Sequence, residues 1–398
     1  GYRPPGVLDG VVAFPGGDGR VDLLVTHELD GDQGYAYRLA NGTPLTGARI
    51  TRFELDRRSR RITGATLAYR EIRDRKGQVV TDPAQVNQRP PGDPRGLEAF
   101  CSAAGYGPGQ FGFVDRLFFA HEEVTKDEGH PHGGSIYALD IDAGVLWAAP
   151  ALGRGSFENV TALATPDGDQ PDGHVALLIG DDYEFGRAPI YLWIGRKQPG
   201  GNFLERNGLA AGRLHAWVAD SGETSPEQWR GTGTSRDGRF VPVATRAAAG
   251  VAGTDAAGWF DDPVLRAQAA AAGGFLYSRP EDLHTNPANP LEAVFTSTGQ
   301  GNVYPADDWG GIYVATLRFT PTGAGDLAAT ARIRLLYDSD DTRDRGIRSP
   351  DNLVWAGDGR IYVQEDMATK RAAFGADSGR EVSIWSLDPA EPSRPVLV

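Results

Sequence analysis

Along most of the chain, apolar residues come in short runs separated by Gly, Pro and Asp turns. Val21–Leu29, Arg49–Asp56 and Arg61–Ile72 open the series, and Arg116–Glu123, Gly134–Ile141 and Gly144–Ala151 continue it. His174–Asp182, Pro189–Arg196, Leu291–Gly299, Gly310–Phe319, Arg332–Asp338, Gly359–Asp366 and Val382–Asp388 follow. Their length and their content of Val, Ile, Tyr and Phe predict strands from end to end. Only Pro263–Ala272 carries a helical pattern, read as an excursion from the sheet scaffold. The segment 195–258 is weakly patterned. No linker divides the chain, so residues 1–398 are expected to form one domain.

Aligning the runs on their acidic ends exposes a repeat. Leu24-Val25-Thr26-His27-Glu28 resembles Phe118-Phe119-Ala120-His121-Glu122-Glu123, and both resemble the ends Gly180-Asp181-Asp182 and Gln364-Glu365-Asp366. Aromatic strands follow, led by Gly or Pro in Gly134–Leu139, Pro189–Ile194 and Gly310–Ala315 and by Val in Val382–Leu387. Spacings of roughly 60 residues between copies predict an all-β chain folded as a β-propeller. Five copies are traceable, and the segment 195–258 has room for another, so six blades are expected.

Composition narrows the alternatives. The 398 residues include 53 Gly and 27 Pro, which excludes a helical bundle. With 8 Trp, 13 Tyr, 16 Phe and 40% apolar residues, the chain can bury a core. A single cysteine rules out an intrachain disulfide framework. The net charge of −13 argues against nucleic acid and anionic membrane as partners and fits a chain that gathers cations. No apolar run reaches the ~18 residues of a spanning helix. The chain opens Gly1-Tyr2-Arg3-Pro4-Pro5 without an initiator Met, which fits a chain processed on export or trimmed.

A second acidic motif precedes several of the repeated strands. Ser156-Phe157-Glu158 comes before Asp181-Asp182, Arg279-Pro280-Glu281 before Thr296-Ser297-Thr298, and Ser349-Pro350-Asp351 before Glu365-Asp366. Each offset fits one β-hairpin, in which the first strand begins beside the end of the second. The acids of every blade would share one rim and point at one axis, where they repel unless cations lie between them. Carboxylates suit calcium. Cys101 stands where the motif belongs ahead of Glu122-Glu123, and a thiolate among carboxylates points to a transition metal such as iron. A lone cysteine can equally be a small buried hydrophobe.

These residues resemble the PhoX-type alkaline phosphatases. The resemblance is carried by His27-Glu28, by Cys101-Ser102-Ala103-Ala104 with Glu122-Glu123, and by Gly153-Arg154-Gly155-Ser156-Phe157-Glu158 with Asp181-Asp182. Arg279-Pro280-Glu281, Asp351-Asn352 and Glu365-Asp366 complete it. Phe157 stands where the family pattern has His. The resemblance implies a six-bladed propeller with an iron–calcium cluster on its axis. It implies metal ligands in Cys101, Glu158, Glu281, Asp351 and one acid of each pair Glu122/Glu123, Asp181/Asp182 and Glu365/Asp366. Arg279 would orient the phosphate of a small phosphorylated substrate, with Arg348 as a second candidate. A periplasmic or secreted location follows from the same likeness.

Two other functions fit parts of the pattern. A calcium-dependent propeller lactonase or esterase matches the repeat around Ser349–Asp366 but needs no thiolate, so Cys101 discriminates. A calcium-stabilised binding propeller would hold metal without turnover. His130-Pro131-His132 and Asp167–Gly173 read better as loops than as metal sites, and His27 and His121 as structural histidines.

Overall fold

The computed structural model describes every residue except 1, 324 and 369. It is a propeller of antiparallel units. The first is β1 (Leu8–Pro15), β2 (Arg20–His27), β3 (Arg49–Asp56) and β4 (Ile62–Leu67), paired in chain order. The chain then lends β5 (Glu71–Arg73) to the outer edge of the second unit. That unit is β6 (Phe100–Tyr106), β7 (Leu117–Glu122), β8 (Ile136–Asp140) and β9 (Val145–Ala148), and β5 lies parallel to β9.

The third unit runs β10 (Phe157–Leu163), β11 (His174–Asp181), β12 (Tyr191–Arg196), β13 (Gly212–Ala219) and β14 (Ser235–Val243). After helix α1 (Asp262–Ala271) comes the fourth, β15 (Pro280–Thr285), β16 (Glu292–Ser297), β17 (Gly311–Pro321) and β18 (Leu327–Asp338). Strand β14 pairs β18, so these two units form one nine-stranded sheet. The fifth is β19 (Pro350–Trp355), β20 (Ile361–Glu365), β21 (Ile384–Leu387) and β22 (Val396–Leu397). The sixth copy expected within 195–258 does not form there. Those residues supply β13 and β14, which widen the third unit, because their apolar faces complete an existing core.

Burial follows the sequence pattern. Strands β7 and β11 are buried at every position, as continuous apolar runs predict, whereas most of the outer strand β18 alternates buried and exposed residues. Helix α1 buries Leu265, Arg266 and Ala269 and matches the expected excursion to within a residue at each end. The apolar cores lie between successive units. Leu24 and Phe118 share one, Phe119 and Ile179 another, Leu178 and Phe295 a third, Val294 and Val363 a fourth. Among the described residues no such core joins the fifth unit to the first. Neighbouring inner strands pack in the order β1, β6, β10, β15, β19, and nothing comparable brings β19 onto β1. No described helix is long and apolar enough to cross a membrane.

Candidate metal centre

Each of the five inner hairpins is built to one plan at the end nearest the axis. The ladder pairs Leu8 with His27, Phe100 with Glu122, Phe157 with Asp181, Pro280 with Ser297, and Pro350 with Glu365. The register then shifts in all five, directly after that pair in four and after one further pair, Cys101 with His121, in the second. A bulge re-aims the side chain beside it. The residues beside it are Asp9, Cys101, Glu158, Glu281 and Asp351. Opposite them, just past the end of the second strand, stand Glu28, Glu123, Asp182, Thr298 and Asp366.

Backbone strain marks the same place. Val7, Ala99, Arg279 and Ser349, each two residues before its bulge residue, have φ of 51°, 40°, 61° and 37°. Such left-handed non-glycine residues cost ~1–3 kcal/mol each and persist where the surroundings hold them. Here each turned carbonyl accepts the amide of the residue facing the axis: Val7 from Glu28 at 3.0 Å, Ala99 from Glu123 at 2.9 Å, Arg279 from Thr298 at 3.0 Å, and Ser349 from Asp366 at 2.9 Å. Close approach also matters, since a Cβ on Gly180 would sit 2.4 Å from the Glu281 carbonyl oxygen.

Three groups of ligand atoms result, each with its atoms within 4.8 Å of one another: Asp9, Glu28 and Cys101; Cys101, Glu123 and Glu158; Glu158, Glu281 and Asp351. Cys101 and Glu158 are shared between neighbouring groups. Arg279 reaches across them, with Nε and Nη2 each 2.9 Å from Asp182, Nη2 3.0 Å from Glu281 and Nη1 3.5 Å from Asp366.

The first acid of each pair has another task. Glu122 accepts the Glu98 amide at 3.2 Å, Asp181 the Ser156 amide at 2.9 Å, and Glu365 the Arg348 amide at 3.0 Å, so each braces the turn leading to a bulge residue. Arg266 of α1 clamps Asp181 at 2.7 and 2.9 Å. The ligand reading of Glu122, Asp181 and Glu365 is therefore corrected: strand alternation turns them away from the axis, toward their braces. Arg348 is corrected likewise. It is fully buried and spends its guanidinium on Glu365, Asp344 and the carbonyls of Arg380 and Glu381, leaving nothing for a substrate. Asp9 and Glu28 enter the groups without having been singled out as ligands. The 19-residue offset between them, close to that of the other hairpins, was the available signal.

The electrostatics fit a cation site. Burial pushes Glu158 well above the usual carboxylate range, and Glu123, Glu281 and Asp351 add to the push. Glu281 rises for the same reason, with Asp182 as its largest charged neighbour. Burial and then Glu158 and Glu123 hold the Cys101 thiol well above its ordinary value. Glu158 Oε1 is buried without a hydrogen-bond partner. Buried carboxylates that disfavour their own charge call for cations between them. The donor set fits: thiolate and carboxylate around Cys101 suit a transition metal, and the all-oxygen group of Glu158, Glu281 and Asp351 suits calcium.

Comparison with known proteins identifies the fold and the family. Pseudomonas fluorescens PhoX in complex with vanadate, a transition state analogue, shares the fold with a TM-score of 0.60 at 16% identity, covering 98% of this chain and 79% of that one. A glucose dehydrogenase aligns at 14% identity over 66% of this chain and 92% of its own, with a TM-score of 0.20. No curated protein sequence matches the chain. The family described as alkaline phosphatase PhoX matches residues 119–387, which carry three of the five inner hairpins whole and most of β7, the second strand of another. The chain belongs to the PhoX alkaline phosphatase family.

Proposed function

We propose that the chain is an exported, metal-dependent phosphomonoester hydrolase whose active centre is the ring of bulge residues. The observation that carries this is the shared placement of Asp9, Cys101, Glu158, Glu281 and Asp351 at five equivalent bulges, aimed at one axis. Cys101 with Asp9 and Glu28, and with Glu123 and Glu158, would hold iron; Glu158, Glu281 and Asp351 would hold calcium. Bound there, the cations would polarise a phosphoryl oxygen and supply a nucleophile at neutral pH. Without them the ring of carboxylates would repel a phosphate dianion.

Arg279 is the protein's own contribution to substrate binding. Its Nε and Nη2 are fixed on Asp182, while Nη1 has no hydrogen-bond partner. A guanidinium anchored on Asp182, with Nη1 paired to Asp366 at 3.5 Å but making no hydrogen bond, can hold a non-bridging phosphate oxygen in a set orientation. The vanadate bound by the Pseudomonas relative supports a phosphoryl-transfer centre for this chain too.

Elemental analysis alongside assays with an aryl phosphate and an aryl ester tests the reading. Iron and calcium should copurify, and only the phosphate should be hydrolysed. Cys101→Ala should retain the fold and lose iron together with activity, by more than the ~10–100-fold that losing an outer partner of a metal site costs. Full phosphatase activity in Cys101→Ala, or calcium-dependent esterase activity without iron, overturns the assignment.

A further inference from the structure

Beneath the carboxylate ring lies a cavity of about 760 Å³ that runs along the inner strands away from the rim. Its upper boundary is Asp9 and the layer one residue beyond the bulge residues: Ser102, Asn159, Asp282 and Asn352. This layer is polar and ordered. The Asn159 amide donates to Asp282, whose other oxygen accepts the Leu353 amide at 2.9 Å. Asn352 Nδ2 lies 3.3 Å from Asp351 Oδ1 and so touches a residue of the ring itself.

Strands of the fifth and first units, which no apolar core joins among the described residues, both line the cavity. One face of the fifth unit lines it with Asn352, Val354, Gln364 and Ile384. Val354 and Ile384 are 41% and 47% exposed, and Val11 of the first unit is 58% exposed. The charge is one-sided: among the described residues Asp9 and Asp282 line the cavity, no Lys or Arg does, and only the His284 side chain there is able to become cationic. Carboxylates set in low-dielectric walls focus a negative potential that draws cations inward and turns anions away. Arg279 stands at the other face of the ring, at the rim.

We infer that this channel is a separate route by which divalent cations reach and leave the centre, so that metal exchange does not pass through the phosphate site. The inference rests on the metal centre proposed above. Positive charge at the mouth raises the barrier in both directions, because the ion passes the same point whichever way it travels. Entry and release must therefore slow together, with calcium affinity unchanged.

The test uses the full chain with calcium alone. Calcium release into excess chelator and rebinding to the stripped protein are timed by a fluorescent indicator, and affinity is measured by titration. Gln364→Lys should slow both rates by about tenfold at low ionic strength, with the dissociation constant intact. Gln364→Glu should slow neither, and Val354→Trp should slow both by obstruction even at high salt. Rates unchanged in both Gln364→Lys and Val354→Trp, in proteins that still bind calcium, overturn the channel and leave the centre standing. A parent protein that binds no calcium overturns the centre itself.

Discussion

At the residue scale, adjacent acids in one dipeptide carry opposite obligations. Glu365 is an ion-pair partner, held by Arg348 at 2.7 Å in full burial, whereas its neighbour Asp366 faces the axis. Removing half of a buried pair leaves the other charge uncompensated, so Glu365→Gln should cost ~3–5 kcal/mol of stability. Glu123→Gln should do the reverse in chelator-treated protein. Burial and then Asp182 push the Glu123 carboxyl well above its ordinary range, so removing its charge raises Tm while metal content falls. Urea melts and elemental analysis separate the two. Away from the centre, burial pushes Asp307 up to about 8, with Arg230 opposing and Asp340 and Asp338 reinforcing. A carboxyl whose folded value exceeds its unfolded one stabilises fully below the unfolded value, and that contribution disappears as pH rises toward 8. Asp307→Asn should therefore flatten the loss of stability between pH 5 and 8, by at most about 1.4 kcal/mol per pH unit in urea titrations.

At the element scale, the unit of construction is a hairpin with a left-handed residue, an apolar or proline residue and a bulge residue in succession. Four hairpins use this device. The third lacks the left-handed residue and keeps only the acidic brace, Asp181, held by Arg266 and accepting the Ser156 amide as Glu122 and Glu365 accept theirs. The left-handed position tolerates glycine, whereas a β-branched side chain there is strained and has to be held by its surroundings, as Val7 is in the first hairpin. Ala99→Gly should leave stability within ~0.5 kcal/mol, whereas Ala99→Val should cost ~2 kcal/mol and loosen Glu123, read as a lower urea midpoint with weaker metal retention. The paired acidic motifs and their hairpin offsets were legible in the sequence because strand ends carry them at regular distances. Which acid faces the axis was not, since alternation flips with a one-residue bulge that no composition marks. Asp9 escaped notice for a related reason. In its strand, Leu8–Pro15, the apolar run Val11–Phe14 begins only after Asp9 and Gly10, so the acid stands before the run rather than at its end, where the other acids were aligned.

At the scale of the whole molecule, five hairpins from distant parts of the chain meet at one ring of like charges. The ring opposes closure unless cations sit in it. Metal removal should therefore lower Tm and raise hydrogen exchange at the ring ends of β1, β6, β10, β15 and β19. Saturation at a thousandfold over the dissociation constant should be worth about 4 kcal/mol, measurable as the stability difference between loaded and stripped protein. Exchange at the outer strands β14 and β18 should change least, because their shared pairing does not reach the ring.

The sequence by itself determined the class of architecture, the helix near 263–272, the position of Cys101 and the rim on which the acids gather. These are local properties: strand-length apolar runs, turn residues and hairpin offsets are written in neighbouring positions. Tertiary structure alone decided that β13 and β14 widen an existing blade and that the first acids serve as braces. It also decided that Arg348 is a buried clamp, and that Asp9 and Glu28 join the centre. Each of those depends on contacts between residues far apart in the chain, where packing and charge select among partners that local pattern leaves equal.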